Sequence, residues 1–299
     1  MRALYFTDIH LSITPPPMRS TTPFYEVAFS KIRSLVEETK PHCIICGGDL
    51  FTRRDRGLPR PPTGLLLALN QFIEALGVPW TIVPGNHDVV ECSPNDAAYR
   101  DDSPLALLES ELVHVAWDWG WSSHVGRGVE FYPYGTDLSV NTHLGVEIAV
   151  LHQAFAPSTF DPANQPPSDL KALFPNAWLC LLGHIHSQYD LTIDGLRIIN
   201  PGPLVRRSRD EIALVPCGLL VDTDARTVKY IPCGINDDIL PEVLDGSGKH
   251  AIDTSALVSS QVSVEPIDDT NAPKLLAEFM GKRRDAGVYE EVVRLIRES

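Results

Sequence analysis

The chain has 299 residues, 43% of them hydrophobic, and a formal net charge of −14 at pH 7. That length supports one large core with room for a small appendage, and no run reaches the ~20 apolar residues a membrane-spanning helix needs. The acidity argues against sequence-independent binding of nucleic acid through a broad basic face, though not against local basic loops.

No basic segment followed by a long apolar stretch opens the chain, so the expected location is the cytoplasm. Arg2 to Thr7 predicts a first strand. Asp8 and His10 follow it two residues apart, hence on one side of an extended backbone. Thr14 to Pro23 holds four prolines and must be a loop; it is either a substrate-shaping segment or an inert connection. Phe24 to Glu38 predicts a helix, with Val27, Ala28, Ile32, Leu35 and Val36 at helical spacing and Pro41 to stop it. His42 to Cys46 predicts the second strand and runs into Gly47-Gly48-Asp49. Cys43 and Cys46 have CxxC spacing, but on a strand they face opposite sides and cannot share a metal; they read as buried apolar residues. With Cys92, Cys180, Cys217 and Cys233 they suggest no disulfide framework.

A basic cluster follows at Arg53, Arg54 and Arg56, with Arg60 soon after. Leu65 to Leu76 predicts a helix, and Val78 to Val83 a buried strand ending in Pro84-Gly85-Asn86-His87-Asp88. The order βαβαβ favours parallel strands with right-handed crossovers. Trp117, Trp119 and Trp121 alternate as on one packed strand face. Further strands are expected at Val129 to Tyr132, Val146 to Leu151 and Trp178 to Leu182. Tyr189 to Ile193 and Leu196 to Ile199 flank an Asp194-Gly195 hairpin turn, and Leu214 to Val221 pairs with Thr227 to Ile231. The second half is therefore expected to be β-rich and antiparallel.

Five of these runs stop at residues that bind metals: Asp8 and His10, Asp49, Asn86, His152, and His184 with His186. Strands ending in ligands describe one site at the carboxyl edge of a sheet. Seven ligands are too many for one ion and suit two, and nitrogen and oxygen donors without thiolate favour Mn²⁺, with Fe²⁺ or Zn²⁺ as alternatives. Asp49 is the expected bridging carboxylate. A dinuclear site lowers the pKa of a bound water and clamps both oxygens of an in-line displacement at phosphorus. His87, left off the metals, can donate a proton to the leaving oxygen, and the neighbouring Asp88 is grouped with it as a catalytic candidate. Arg206 and Arg207, like Arg53 and Arg54, are candidate phosphate contacts, with plain solvated loops as the other reading.

Asp8-x-His10, Gly48-Asp49, Gly85-Asn86-His87-Asp88, His152 and Gly183-His184-x-His186, in this order, resemble the calcineurin-like metallophosphoesterases. Over residues 1–235 the resemblance implies a four-layer αββα sandwich of two mixed sheets. It implies one metal on Asp8, His10, Asp49 and His186, a second on Asp49, Asn86, His152 and His184, and His87 as the acid. Gly47-Gly48-Asp49-Leu50-Phe51, Leu151-His152-Gln153 and Asn200-Pro201-Gly202-Pro203 resemble the DNA-repair exonuclease branch, whose bacterial members are the SbcD nuclease subunits. Several members place a His or Asp three residues after the bridging aspartate; here that position is Thr52.

The leading expectation is an Mn²⁺-dependent nuclease acting on DNA ends or single strands. The alternatives are a phosphodiesterase or phosphatase for a small nucleotide-type substrate, and a non-catalytic interaction module. Residues 236–270 read as a linker and irregular extension around Asp245-Gly-Ser-Gly248. In 271–299 two amphipathic helices are expected, with stripes at Leu275, Leu276, Phe279 and Met280 and at Val288, Tyr289, Val292, Val293 and Ile296. By resemblance they would bind an SMC-like ATPase partner; docking on the chain's own core is the alternative. A homodimer is a separate expectation, not tied to these helices.

Overall fold

The computed structural model describes residues 1–16, 23–52, 61–89, 94, 97–126, 128–138, 145–157 and 165–234. All lie in the first of the two units, Met1–Ser259 and Ser260–Ser299, into which the chain divides. The Arg53–Arg60 cluster, the linker and the C-terminal stripes fall outside the described residues.

Two six-stranded sheets carry the fold. The first contains β1 (Arg2–Phe6), β2 (Cys43–Cys46), β3 (Trp80–Ile82), β4 (Val113–Val115), β11 (Cys217–Asp222) and β12 (Thr227–Pro232), in the order β12-β11-β1-β2-β3-β4. The second contains β5 (Gly120–Trp121), β6 (Val129–Tyr132), β7 (Ile148–His152), β8 (Leu179–Gly183), β9 (Tyr189–Ile193) and β10 (Leu196–Asn200), in the order β5-β6-β7-β8-β10-β9.

Alternation along the central strands builds three apolar layers. Leu4 and Phe6 of β1, with Ile44 and Cys46 of β2, face one layer. Ala3, Tyr5, Cys43 and Ile45 face the next, where they meet Ile148 and Val150 of β7 and Leu179 and Leu181 of β8. Ala149, Leu151, Cys180 and Leu182 face a third. Cys43 and Cys46 thus sit in different layers, as period-two geometry requires; both are buried free thiols.

Helices α1 (Tyr25–Thr39) and α2 (Thr63–Leu76) cover the first sheet through Ile32, Leu35, Leu69 and Ile73. Phe29 and Phe72 stack between them, ring centroids 4.2 Å apart. Each helix ends on a left-handed residue, Lys40 before Pro41 and Gly77, whose N–H bonds back to Val36 and Ile73 respectively. A five-residue helix, α3 (Ala97–Asp101), follows β3. The short α4 (Asp169–Leu173) puts Leu170 into the third layer. Helices outside two face-to-face sheets make the αββα sandwich of the metallophosphoesterase type.

Two expectations need correction. The second half is not antiparallel as a whole: β6, β7, β8 and β10 run parallel, and among the described residues antiparallel pairing is confined to β5 with β6, β9 with β10, and β11 with β1 and β12. The crossovers put these strands between two apolar layers, and strands buried on both faces belong to parallel sheets. Nor do the three tryptophans line one packed face. Trp117 lies buried beside Tyr99, after β4 has ended, whereas Trp119 and Trp121 are 58% and 61% exposed at the β5 edge.

Candidate metal centre

The carboxyl ends of β1, β2 and β3 in one sheet, and of β7 and β8 in the other, meet at one place. Asp8 and His10 leave β1, Asp49 follows β2, Asn86 and His87 follow β3, His152 ends β7, and His184 and His186 follow β8. Asp8, His10, Asp49 and His184 all have positive φ, between 50° and 81°. That conformation is strained for a residue with a Cβ; here it turns each side chain back over the strand ends.

Two glycines make the approach possible. A Cβ on Gly48, at φ 114°, would lie 2.0 Å from His152 Nδ1, and one on Gly85 would lie 2.2 Å from Asp49 Oδ1. A side chain at either position would push a ligand out of place.

The donors fall into two groups that share Asp49. Asn86 Oδ1 lies 2.7 Å from His184 Nδ1 and 3.3 Å from His152 Nε2, and His152 Nε2 lies 3.3 Å from Asp49 Oδ1. On the other side, Asp49 Oδ2 is 3.7 Å from His10 Nε2, His10 Nε2 is 3.2 Å from His186 Nε2, and His186 Nε2 is 3.7 Å from Asp8 Oδ1. The two oxygens of Asp49 therefore face different groups, an arrangement that suits a bridging carboxylate.

Partners outside the centre set the imidazole tautomers. His152 Nδ1 donates to the Gly47 carbonyl at 2.7 Å, and His186 Nδ1 to Glu211 Oε1 at 2.5 Å. Each bond makes Nε2 the nitrogen that faces the centre, where a metal can take it once its proton has left. His10 and His186 then bring two ring nitrogens to 3.2 Å, a repulsive contact unless a cation or proton lies between them. Imidazole, carboxylate and amide oxygen without thiolate, gathered in this way, fit divalent cations.

Electrostatics agree with the geometry. Burial raises the Asp49 carboxyl, but His152, then His10 and His87, outweigh it and hold the group well below the carboxylate range. His152 is buried, which lowers it; Asp49 and then Asp8 overcome that and lift it to about 9. Burial, reinforced by His152, takes His184 down to about 4.

His87 and Asp88 have different places. The His87 backbone N–H donates to Asp49 Oδ1 at 2.9 Å, and its ring meets His10 edge-on at 4.6 Å. The ring thus lies beside His10 and Asp49. The Asp88 carboxylate instead accepts from the backbone N–H groups of Leu50, Phe51 and Gly85 at 2.9–3.1 Å. Burial and the Asp49 charge push it up to about 7 against those three bonds. Asp88 is a positioning residue that ties the β2 and β3 loops together, not a group facing substrate. Thr52 Oγ1 donates to the His10 carbonyl at 2.6 Å, fixing that ligand through its backbone.

The arginine pair divides in the same way. Arg206 is 0% exposed, and its guanidinium donates to the carbonyls of Ile212 and Leu214, so the expectation that it contacts substrate does not fit its burial. Arg207 is half-buried and lines a cleft with Leu11 and Thr52. Sequence reasoning missed Glu211: besides His186, it accepts from the Arg207 and Ser208 N–H groups through Oε2. It sits on a three-residue 3₁₀ turn, Arg209–Glu211, with no periodicity to mark it.

The calcineurin-like phosphoesterase family profile matches residues 1–188, which span the strands from β1 to β8 and all seven candidate ligands. The chain belongs to the calcineurin-like phosphoesterases, hydrolases that act with divalent metals. Solved structures similar to it include an archaeal phosphodiesterase (12% identity over 78% of this chain and 99% of the other, TM-score 0.42). A protein of Thermus thermophilus (14%, 77% and 98%, TM-score 0.47) and a phosphoesterase from E. coli (14%, 78% and 100%, TM-score 0.39) are also similar. No curated protein sequence matches the chain. Among the described residues, no helix is long and apolar enough to cross a membrane.

Proposed function

We propose that the chain is a two-metal phosphodiesterase that cleaves DNA at ends or in single strands. The observation that carries this reading is the Asp49 carboxylate: it divides its oxygens between two donor groups while its Oδ1 also holds the His87 backbone. Two bound cations, with Mn²⁺ favoured by the donor set and Fe²⁺ or Zn²⁺ as alternatives, would supply the nucleophile and neutralise charge at phosphorus. Asp8, His10, Asp49 and His186 would hold one, and Asp49, Asn86, His152 and His184 the other. His87 supplies the leaving oxygen with its proton, which a diester of an alkyl alcohol needs and a nitrophenyl ester does not. The DNA substrate is supported by the repair-exonuclease motifs Gly47-Gly48-Asp49-Leu50-Phe51 and Asn200-Pro201-Gly202-Pro203.

A second reading, hydrolysis of a small nucleotide-type ester, is favoured by the −14 net charge, which repels a long polyanion. A panel of metals against bis-p-nitrophenyl phosphate, end-labelled single- and double-stranded DNA, and small nucleotide esters tests both. Cleavage of DNA supports the nuclease; turnover of nucleotide esters without DNA cleavage selects the second reading; no hydrolysis with any metal refutes the enzyme. We also propose that 271–299 binds an SMC-like ATPase subunit. The test is co-purification of that subunit with the full chain and its loss when the chain ends near Asp245.

A further inference from the structure

One charged group near the metal centre has no role in holding it. Arg207 follows the buried Arg206, and its Nε is buried with no hydrogen-bond partner. Among the described residues no carboxylate pairs with its guanidinium. Glu211, which could have done so, has both oxygens engaged by His186 Nδ1 and by backbone N–H groups. Burial lowers the Arg207 pKa against the opposing charges of Glu211 and then Asp49, and its own charge is felt at His10. A half-buried cation whose Nε is buried and unused is costly. Beside a centre that gathers two further cations it is more so, unless an anion sits between them.

Arg207 lines a cleft of about 210 Å³. One wall is the segment after His10, Leu11 to Pro16; the other is Thr52, Pro61, Pro62 and Leu65. The lining mixes apolar Leu11, Ile13 and Leu65 with the hydroxyls of Ser12, Thr14 and Thr52, and its four prolines stiffen it, since proline fixes φ. Leu11 and Thr52 adjoin the centre directly: the Leu11 N–H bonds to the Leu50 carbonyl, and Thr52 Oγ1 to the His10 carbonyl.

Resting on the phosphodiesterase reading, we propose that this cleft is the substrate's specificity subsite. Arg207 takes an oxygen of the scissile phosphate, and the proline-bearing walls take the sugar esterified to it and the flat base that the sugar carries. The chemical class is a nucleoside 5′-phosphate unit. The space suits one unpaired nucleoside and not a duplex. The arginine fork matches phosphate geometry, and the proline faces offer the apolar surface on which a base can lie.

Thymidine 5′-monophosphate and inorganic phosphate are the probes, titrated calorimetrically into the metal-loaded full chain. Arg207→Met should weaken both by roughly 10- to 100-fold, the loss expected for a hydrogen bond to a charged group. Thr14→Trp, at an exposed cleft position, should weaken the nucleotide and leave inorganic phosphate unchanged. Bound metal should stay the same in both variants. Equal nucleotide affinity in wild type and Arg207→Met, or equal loss of both probes in Thr14→Trp, overturns the subsite. Turnover of thymidine 5′-p-nitrophenyl phosphate by wild type is measured alongside. If that is absent while the binding differences hold, the phosphodiesterase reading fails and the nucleotide site stands.

Discussion

Replacing Glu211 by Gln should weaken one metal site and spare the other. The carboxylate accepts from His186 Nδ1 on one oxygen and from the Arg207 and Ser208 N–H groups on the second. An amide has one acceptor where the carboxylate has two. Either its NH₂ faces the His186 ring, or it faces two backbone donors. In the first arrangement His186 loses the bond that fixes its tautomer. In the second a pair of partly buried N–H groups is stranded, at about 1–3 kcal/mol. Loss of such an outer partner typically reduces metal affinity 10- to 100-fold, or about 1.4–2.8 kcal/mol. His186 belongs to the group with Asp8 and His10; His152, His184 and Asn86 make no contact with Glu211. Competition against a fluorescent chelator should therefore show two sites of similar strength in wild type. In Glu211→Gln one should be shifted by that amount and the other unchanged. Two unshifted sites, or two sites shifted together, would refute the reasoning.

Asp49→Asn should lower occupancy of both metals as well as turnover, because each oxygen of Asp49 faces a different donor group; elemental analysis that still finds two tightly held ions would show that Asp49 does not bridge. His87→Ala should keep both metals and lose roughly 10²- to 10⁴-fold in rate on DNA, with a smaller loss on nitrophenyl esters; equal losses would count against the acid role. In the metal-free protein His152, raised to about 9, is charged at neutral pH, and a metal can use only its neutral form. Calorimetry in buffers of different ionisation enthalpy should thus detect proton release on metal binding, reduced in His152→Gln, with His186 and Asp8, also raised, still contributing. By the same sign, the chelated protein should lose stability as pH rises from the ordinary histidine range through about 9. A flat stability profile there would show that His152 is already neutral.

The ligands were legible because each ends an apolar run, and a polar metal-binding residue at a buried strand end contributes little to packing. The tautomer-setting partners were not. Gly47 acts through its carbonyl, which any residue has, and Glu211 reaches His186 across 25 residues of loop and hairpin. Arg206 and Arg207 look alike in sequence; only packing separates the one bonded to Ile212 and Leu214 from the one facing the cleft. The parallel order of the second sheet did have a signal. Ile148 to Leu151 and Leu179 to Leu182 lack polar alternation, which marks strands covered on both sides. The tryptophan alternation misled because a bend after Val115 and an edge strand can carry the same spacing as one strand.

The ligands come from both sheets, and neither sheet holds a full set. Asp8, His10, Asp49 and Asn86 are supplied by the first, and His152, His184 and His186 by the second. A ribosome must therefore emit nearly two-thirds of the chain before either ion can be fully coordinated. Until His152 and His184 emerge, Asp49 and Asn86 have no counterpart, and the group around Asp8 waits for His186. Metal capture would thus follow the docking of the strand ends that carry these residues rather than start it. Asp8, His10, Asp49 and Asn86 from one sheet with His152, His184 and His186 from the other would, with ions bound, tie together two sheets otherwise held face to face by side-chain packing. Chelation should accordingly show its effect first as hydrogen exchange along the seam between β1 and β8, before either sheet frays within itself.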